Sequence, residues 1–500
     1  MLMALALSAV GLFVFIAIRY SGQTLLEAHG FRQTQTALTT YWLLQNGFSL
    51  AYETPVIGYP WQIPLELPIF QYVVAAWTRL FGGNLDANGR IISAAFLVAC
   101  IPPLASIVRQ LELSRRVWLI AIVLTFTGPI YLFWGRAFLI ETAAVFFSVA
   151  YLALLVTIVR QRDVSATTIF LAAIVGALAG TQKSTLGLPV LAFGGALFAF
   201  MHWRDAHPIT IRRVATFAVV VIAPIAAAFA WNAYADAFKA QNAIAAQGLL
   251  TDAPNAIRWN FGTLQQRLTP HTWKLIFWDR GIQYNAAGIA GVALIAGVLI
   301  RPVWPRLRLV AASALFLWIA PPLIFTNLFY IHDYYQVELV IFLVFALAIA
   351  IGEWLPRIVR HEWWIPAVVV LCAAWSLRQF AVNELPRITG DFNRNLVTLA
   401  ETVRERTPPD SPIAVYGLDW SSELPYYAQR RAIAVPPWFH DWQRVWAEPE
   451  RFLNGVSPAA IVICRGDGMP TEAQVGGLMA KDRSLAHAEV GGCQLLYRTR

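Results

Sequence analysis

Eleven apolar stretches, each close to the length that crosses a bilayer, recur along the chain and limit its fold more than any other feature. A hydrocarbon core of about 30 Å needs roughly 20 apolar residues per helix. The stretches lie near 2–19, 89–108, 117–135, 141–159, 166–182, 184–202, 213–234, 284–301, 308–327, 336–356 and 363–381. Lipid offers the backbone no hydrogen-bond partner, so spans of this kind are helical. Of 500 residues, 58% are hydrophobic and 13% charged, against about 45–50% and 25% in soluble domains. A soluble enzyme, a secreted disulfide scaffold and a disordered chain are excluded as descriptions of the whole. The expected fold class is a polytopic α-helical membrane protein.

Charge orients the spans. One set of linkers holds Arg109, Arg115 and Arg116; Arg160 and Arg162; Arg204, Arg212 and Arg213; Arg301, Arg306 and Arg308; Arg357 and Arg360. The short loops of the other set hold only Arg136 and Lys183. The positive-inside rule puts the first set in the cytoplasm. Eleven is odd, so the N-terminus is expected in the cytoplasm and the C-terminus outside. The formal charge of +9 then reflects topology, and no nucleic-acid partner is expected. The first span ends without an A-x-A-like cleavage site and reads as a retained helix. Arg far outnumbers Lys, which occurs only at 183, 239, 274 and 481. With abundant Ala, that bias resembles a GC-rich bacterial genome.

Leu67–Gly83 tests this map, because counting it as a span reverses every later Arg loop. It is short and reads as an interfacial or re-entrant helix within a large outer loop, 20–88. Irregular backbone at membrane depth is tolerated only where it lines a cavity or is buried in protein, so this loop is expected to fold over a site. The expected domains are 1–381, membrane-embedded and including the outer loop, and 382–500, a periplasmic α/β domain. The tail alternates helix and strand: helices near 391–406, 421–430, 441–453 and 471–480, strands at 412–416, 432–435, 459–464 and 494–497. Cys100 and Cys372 fall inside spans as small hydrophobes. Cys464 and Cys493 lie near predicted strands in a compartment that favours oxidation. Two free thiols or a bridge both fit there, and a bridge between neighbouring strands is expected. No Cys/His group has zinc spacing, and there is no Walker loop, dinucleotide fingerprint or nucleophile elbow.

Ionisable residues at a membrane face need solvent or a function. Glu27-Ala-His29-Gly30-Phe31-Arg32-Gln33-Thr34-Gln35-Thr36 precedes a helical run; read alone, it is a polar loop capping a helix. Glu66 stands before an apolar helix, where the helix dipole alone favours an acid. Glu141 follows Arg136 in a hairpin between spans, a spacing that suits a local ion pair. Lys183 sits in a very short outer loop, where lysines commonly snorkel. His332-Asp333-Tyr334-Tyr335 joins two spans, and tyrosines there suit an interfacial belt. Together these groups supply carboxylates, imidazoles and cations on one face. Cations hold a phosphate leaving group, and a carboxylate or histidine takes a proton from an acceptor hydroxyl.

The order of these features resembles the membrane glycosyltransferases that use polyprenyl-phosphate sugars, the protein O-mannosyltransferases and lipid A aminoarabinose transferases among them. Arg32-Gln33-Thr34-Gln35-Thr36-Ala37 resembles the R-Q-x-x-T-A stretch of a bacterial branch, and Glu66-Leu67-Pro68-Ile69-Phe70 its E-x-P-φ-aromatic stretch. Glu141 is similar to the family's second acidic position and His332–Tyr335 to its late H-x-Y-Y-like motif. Asp419-Trp420-Ser421-Ser422-Glu423-Leu424-Pro425-Tyr426-Tyr427 fits the same branch. The family's first outer-loop Asp falls on His29, so the general base is open among His29, Glu27, Glu66 and Glu141.

The resemblance implies a sugar transfer from a polyprenyl-phosphate-linked lipid donor to a lipid, glycan or protein acceptor, by a single inverting displacement at the periplasmic face. It implies Glu141 and His29 at the proton transfer, with Glu66 in support. Arg32 and Lys183 are expected on the phosphate, and His332 and Tyr335 around the donor. No cofactor is expected; the carboxylates are scattered singly, so nothing in the pattern supports a divalent metal. The rival is a multi-pass transporter or lipid flippase, which calls for repeated halves and broken helices. The sequence predicts neither.

Overall fold

The computed structural model describes residues 1–161, 163–204, 210–301, 304–390, 394–465 and 470–498. Arg162 and the side chain of Arg204, two members of the cytoplasmic charge pattern, lie outside the described residues. The chain divides into two compact units. One is formed by Met1–Gln23, Ala87–Trp231 and Ile257–Thr389, the other by Thr24–Asp86, Asn232–Ala256 and Gly390–Arg500.

The first unit is helical. Among the described residues, eight helices are long and apolar enough to cross a membrane, or nine if Pro270–Gln283 and Gly288–Ile300, bent by 89°, form one broken span. The difference from eleven has local causes. The stretch near 117–135 is two helices, Arg115–Thr127 and Pro129–Trp134, separated at Gly128. Proline lacks an N–H and pushes the residue before it toward extended geometry, and Gly128 has ψ 128°. Ala166–Gln182 has 17 residues. In the stretch at 284–301 the helix is interrupted at Ala286–Ala287 and restarts at Gly288. The expectation of unbroken helices is therefore corrected: breaks occur at Gly128 and, between Gln283 and Gly288, at the 89° bend. Four segments, Ala218–Ile222, Lys274–Gln283, Ala350–Trp354 and Phe380–Glu384, wind as π-helix, a local widening that often accompanies function.

Gln336–Ile349 runs through the middle of this unit, with all 14 residues buried. Such a helix is apolar all round because protein surrounds it. It packs on Arg115–Thr127, Glu141–Arg160 and Pro305–Ile324. Leu2–Arg19 packs on Arg115–Thr127, with the Phe13 and Phe126 rings 5.3 Å apart.

The second unit holds a five-stranded sheet: β1 Ile413–Tyr416, β2 Ala432–Ala434, β3 Ala460–Ile463, β4 Leu485–Val490 and β5 Cys493–Arg498. Their order is β2-β1-β3-β5-β4. β1 runs parallel to β2 and β3, and β5 antiparallel to β3 and β4. Helix Arg394–Arg406 buries Leu396, Leu399, Ala400 and Val403, a one-face stripe, against Ile413, Val415, Val462 and Leu495. β4 is absent from the sequence expectation. Ile463 pairs with Gln494, so Cys464 and Cys493 meet beyond the ladder, and a disulfide joins them.

The outer loop contributes to this same unit. Pro55 and Val56 accept hydrogen bonds from Ala432 and Ala434 N–H, and Ile57 bridges to Ile433. The loop thus covers the otherwise open edge at β2, where unpaired backbone would invite aggregation. Arg431 pairs with Glu53 at 2.9 Å, and Asn242 donates to the Ile57, Gly58 and Pro60 carbonyls. Leu67–Gly83 contains a 13-residue helix, Ile69–Phe81, which packs on Gly30–Asn46. At 1.5 Å per residue it is about 20 Å long, too short for a hydrocarbon core. Trp77, Leu80 and Phe81 on it are exposed.

Candidate active site

Three helix ends in the first unit bring ionisable groups together. Glu141 opens Glu141–Arg160, Glu338 lies in the first turn of Gln336–Ile349, and Lys183 follows Ala166–Gln182 in extended backbone, φ −156° and ψ 98°. Acids at helix N-termini and a cation at a C-terminus each match the local dipole. That preference explains each residue singly but not their meeting. Lys183 Nζ donates to Glu141 Oε1 at 2.7 Å and stands 3.6 Å from Glu338 Oε1. Thr185 Oγ1 donates to Glu338 Oε2 at 3.3 Å. Side-chain exposure is 4% for Lys183, 1% for Glu141 and 0% for Glu338. One ammonium thus faces two carboxylates out of water, where losing a partner is costly. Glu141 Oε2 and both amide atoms of Gln182 are buried and lack a hydrogen-bond partner among the described residues. Buried polar groups are normally satisfied by protein, ligand or water, so these atoms leave hydrogen-bonding capacity within the cluster that protein does not fill.

The cluster continues into an aromatic and cationic patch. Lys183 Nζ lies 4.1 Å from the Tyr335 ring centre and 5.8 Å from that of Tyr334. His332 stacks on Tyr335 at 5.6 Å and meets Trp259 at 6.0 Å. Beside it, Asp333 pairs with Arg387 at 3.2 Å, and Arg387 also holds Glu384 at 2.8 Å. The Arg387 guanidinium lies over Phe133 and Trp134, 4.5 and 5.4 Å from the ring centres. Arg280 donates to the Phe329 and Tyr330 carbonyls at 2.7 and 2.9 Å. Asp333 acts electrostatically on both arginines.

The remaining sequence candidates lie in the second unit. His29 precedes helix Gly30–Asn46 in left-handed conformation, φ 41°, and its carbonyl accepts from Arg32 and Gln33 N–H. One turn on, Arg32 pairs with Glu66 and Gln35. Tyr52 buttresses Glu66: its hydroxyl donates to the Glu66 carbonyl and accepts from Leu65 N–H. Glu27 is buried. In the tail motif, Trp420 meets Phe31 edge-on at 5.1 Å, and Glu423 lies against Gly30, where a Cβ would collide with its carboxylate. Burial pushes the Glu423 and Asp419 carboxyls above their ordinary range. Tyr426 and Tyr427 both donate to Asp86.

The structure therefore joins Glu141, Lys183 and Tyr335, with His332 stacked alongside, and separately joins Arg32 with Glu66. The sequence reading passed over Glu338, Arg280 and Arg387. Glu338 carried a usable signal, since it is an acid inside an apolar span one helical turn after Tyr335. Arg280 and Arg387 stand in segments read as a loop and a soluble tail, and their approach to Asp333 has no local signature. Among the described residues, no group of three or more His, Cys, Asp or Glu has the arrangement of a metal site.

No family model matches the sequence, and no curated protein sequence matches it. Solved structures do match. The chain shares their fold and is a multi-pass membrane protein. It is similar over nearly its whole length to ArnT from Cupriavidus metallidurans bound to undecaprenyl phosphate, with TM-score 0.59, 14% identity, and coverage of 97% of each chain. The oligosaccharyltransferase AglB from Archaeoglobus fulgidus, in complex with an inhibitory peptide and a dolichol-phosphate, matches at TM-score 0.57 and 12% identity, over 92% of this chain and 69% of that one. The arabinofuranosyltransferase AftD from Mycobacteria matches at TM-score 0.56 and 15% identity, over 100% of this chain and 40% of that one.

Proposed function

We propose that the protein is a bacterial inner-membrane glycosyltransferase. It moves a sugar from a polyprenyl-phosphate-linked donor to a hydroxyl of a lipid, glycan or protein acceptor at the periplasmic face. The observation that carries this reading is the buried Glu141–Lys183–Glu338 cluster bordered by Tyr335 and His332 in a chain whose fold is shared with an undecaprenyl-phosphate-bound protein.

The reaction is a single inverting displacement. A base takes the acceptor's proton, the acceptor oxygen forms a bond to the anomeric carbon, and the bond from that carbon to the carrier phosphate breaks. The carrier phosphate departs with the electron pair. Glu141 serves as base or orients it, a role supported by its Oε2, which has no protein partner among the described residues. His29 is the second candidate for the proton, with Glu66 setting the position of Arg32. Lys183, held between two acids, balances charge where the phosphate leaves, and Arg32 offers a further guanidinium. Arg280 and Arg387 add cations beside His332, which with Tyr335 shapes the donor pocket. The domain 1–381, outer loop 20–88 included, carries the chemistry. The tail 382–500 is periplasmic, and from Gly390 onward its described part shares a compact unit with Thr24–Asp86.

Glu141→Gln keeps size and removes the basic charge, while Glu338 still faces Lys183. In reconstituted protein supplied with polyprenyl-phosphate sugar, turnover is expected to fall about 10²–10⁴-fold, as for loss of a general base. Normal transfer by Glu141→Gln would remove Glu141 from the chemistry. Movement of the intact lipid without sugar transfer would instead establish a flippase. Lipid-linked sugars accumulating in a deletion strain identify the donor.

A further inference from the structure

Glu141–Arg160 and Gln336–Ile349 carry the charged cluster at one end of each helix. Further along, the same two helices wall a second feature. A cavity of about 370 Å³ opens between them and the helices Ile101–Gln110, Ser184–Arg204 and Pro305–Ile324. That volume falls within the ~300–1,000 Å³ range of ligand sites. Leu152, Val156, Phe193, Leu197, Phe342 and Phe345 make its walls apolar. Arg160 and Arg306 also line it. Both guanidiniums bond to one carboxylate, Glu112, Arg306 at 2.9 Å. Arg306 also donates to the Leu111 carbonyl at 2.9 Å. Hydrogen bonding from Arg306 and the charge of Arg160 hold the Glu112 carboxyl below its usual range. Two guanidiniums set against one carboxylate leave a local charge of about +1.

We propose that this cavity holds an acyl chain of an anionic phospholipid whose phosphate is bound by Arg160 and Arg306. The helices that form it cross the membrane, so the surrounding solvent is hydrocarbon. An apolar void of this size forfeits dispersion contacts unless something fills it. A soluble anion satisfies the arginines and leaves the walls bare. A zwitterionic lipid fills the walls but brings its own cation to a positive site. An anionic diacyl lipid satisfies both: each guanidinium carries five N–H donors, and Glu112 and the Leu111 carbonyl engage only some of them. The site is separate from the proposed transfer site. Glu141 and Arg160 are the two ends of a 20-residue helix, about 30 Å apart. The positive-inside rule assigns the Arg160 end to the cytoplasmic leaflet.

The test uses the full chain in bilayer discs of phosphatidylcholine and phosphatidylglycerol in equal amounts, followed by gentle detergent release and native mass spectrometry. The wild type is expected to retain one phosphatidylglycerol in preference to phosphatidylcholine by about fivefold or more, the yield of a single basic group near a lipid surface. Arg160→Gln with Arg306→Gln leaves the walls intact and should abolish the preference; Arg306→Lys should keep it. Ala314→Trp fills the cavity from its wall and should lose the retained lipid while keeping the cations. Equal retention of the two lipids by the wild type would overturn the proposal. So would an unchanged preference in the double arginine variant, or a polyprenyl phosphate as the retained species. The double arginine variant decides the matter even if Ala314→Trp does not fold.

Discussion

Lys183 is the residue on which the charged cluster depends. With one ammonium against two buried carboxylates, Lys183→Met leaves both acids without their cation. Removing one partner of a buried pair costs about 3–5 kcal/mol, so this variant is expected to unfold well before the wild type in a thermal melt in detergent. Lys183→Arg keeps the charge and should recover much of the loss. Glu338→Gln added to Lys183→Met removes one of the stranded charges and should restore part of it. A Lys183→Met protein as stable as the wild type would show that the pair is not formed. Any effect of Lys183 on donor affinity is thus best read from the arginine variant. Glu141 and Lys183 were legible in the sequence because each breaks an apolar pattern at a loop. Glu338 breaks the pattern just as plainly, but the surrounding Val-Glu-Leu-Val-Ile-Phe reads as span, and hydropathy averages a single acid away. Arg32 and Glu66 were both legible, though as separate phosphate and acid functions; the structure pairs them, so a phosphate reaching Arg32 competes with Glu66.

At the scale of elements, the tail shows what periodicity delivers and where it stops. β1 and β3 are continuous apolar runs, buried throughout, and were read directly. β4, Leu-Ala-His-Ala-Glu-Val, is half-exposed at a sheet edge and carries little apolar signal. Its partner signal was present: Gly491 and Gly492, with φ 62° and 82°, are the two-residue loop of a hairpin that requires left-handed backbone. The bridge between Cys464 and Cys493 closes a loop with a sequence separation of 29. Cross-linking a loop of that length restricts the unfolded chain by about 3–4 kcal/mol. Cys464→Ser with Cys493→Ser is expected to lower the melting temperature of the full chain, and reductant should do the same to the wild type alone. Alkylation of both thiols in unreduced, folded protein would contradict the bridge. Among helices, the hydropathy windows located every apolar stretch but not the interruptions within them. Gly128–Pro129 shows why: proline and glycine contribute little to a hydropathy sum, yet they set the backbone.

At the scale of the whole molecule, membrane character follows from composition alone, and arginine placement supplies the orientation to be tested. Reporter fusions after Arg116, Arg213, Arg308 and Arg360 are expected to report cytoplasm, and fusions near Gly83, Lys183, Asp279 and Gly390 periplasm. A cytoplasmic signal at Gly83 would make Leu67–Gly83 a crossing and reverse every later loop. The composition of the second unit was less legible, because its three segments are separated by 145 and 133 residues and share no pattern. Residues 24–86 supply the strap along β2, 232–256 supply Asn242 to that strap, and 390–500 supply the sheet. This interleaving sets a timetable for biogenesis. At about 5–20 residues per second, a ribosome needs roughly 15–60 s to travel from the end of the first segment to the start of the last. Through that interval Leu26, Glu53 and Ile57 have been made while Leu399, Arg431 and Ile433 have not, so the first-translated part of the unit must wait, tended by the insertion machinery, for the last.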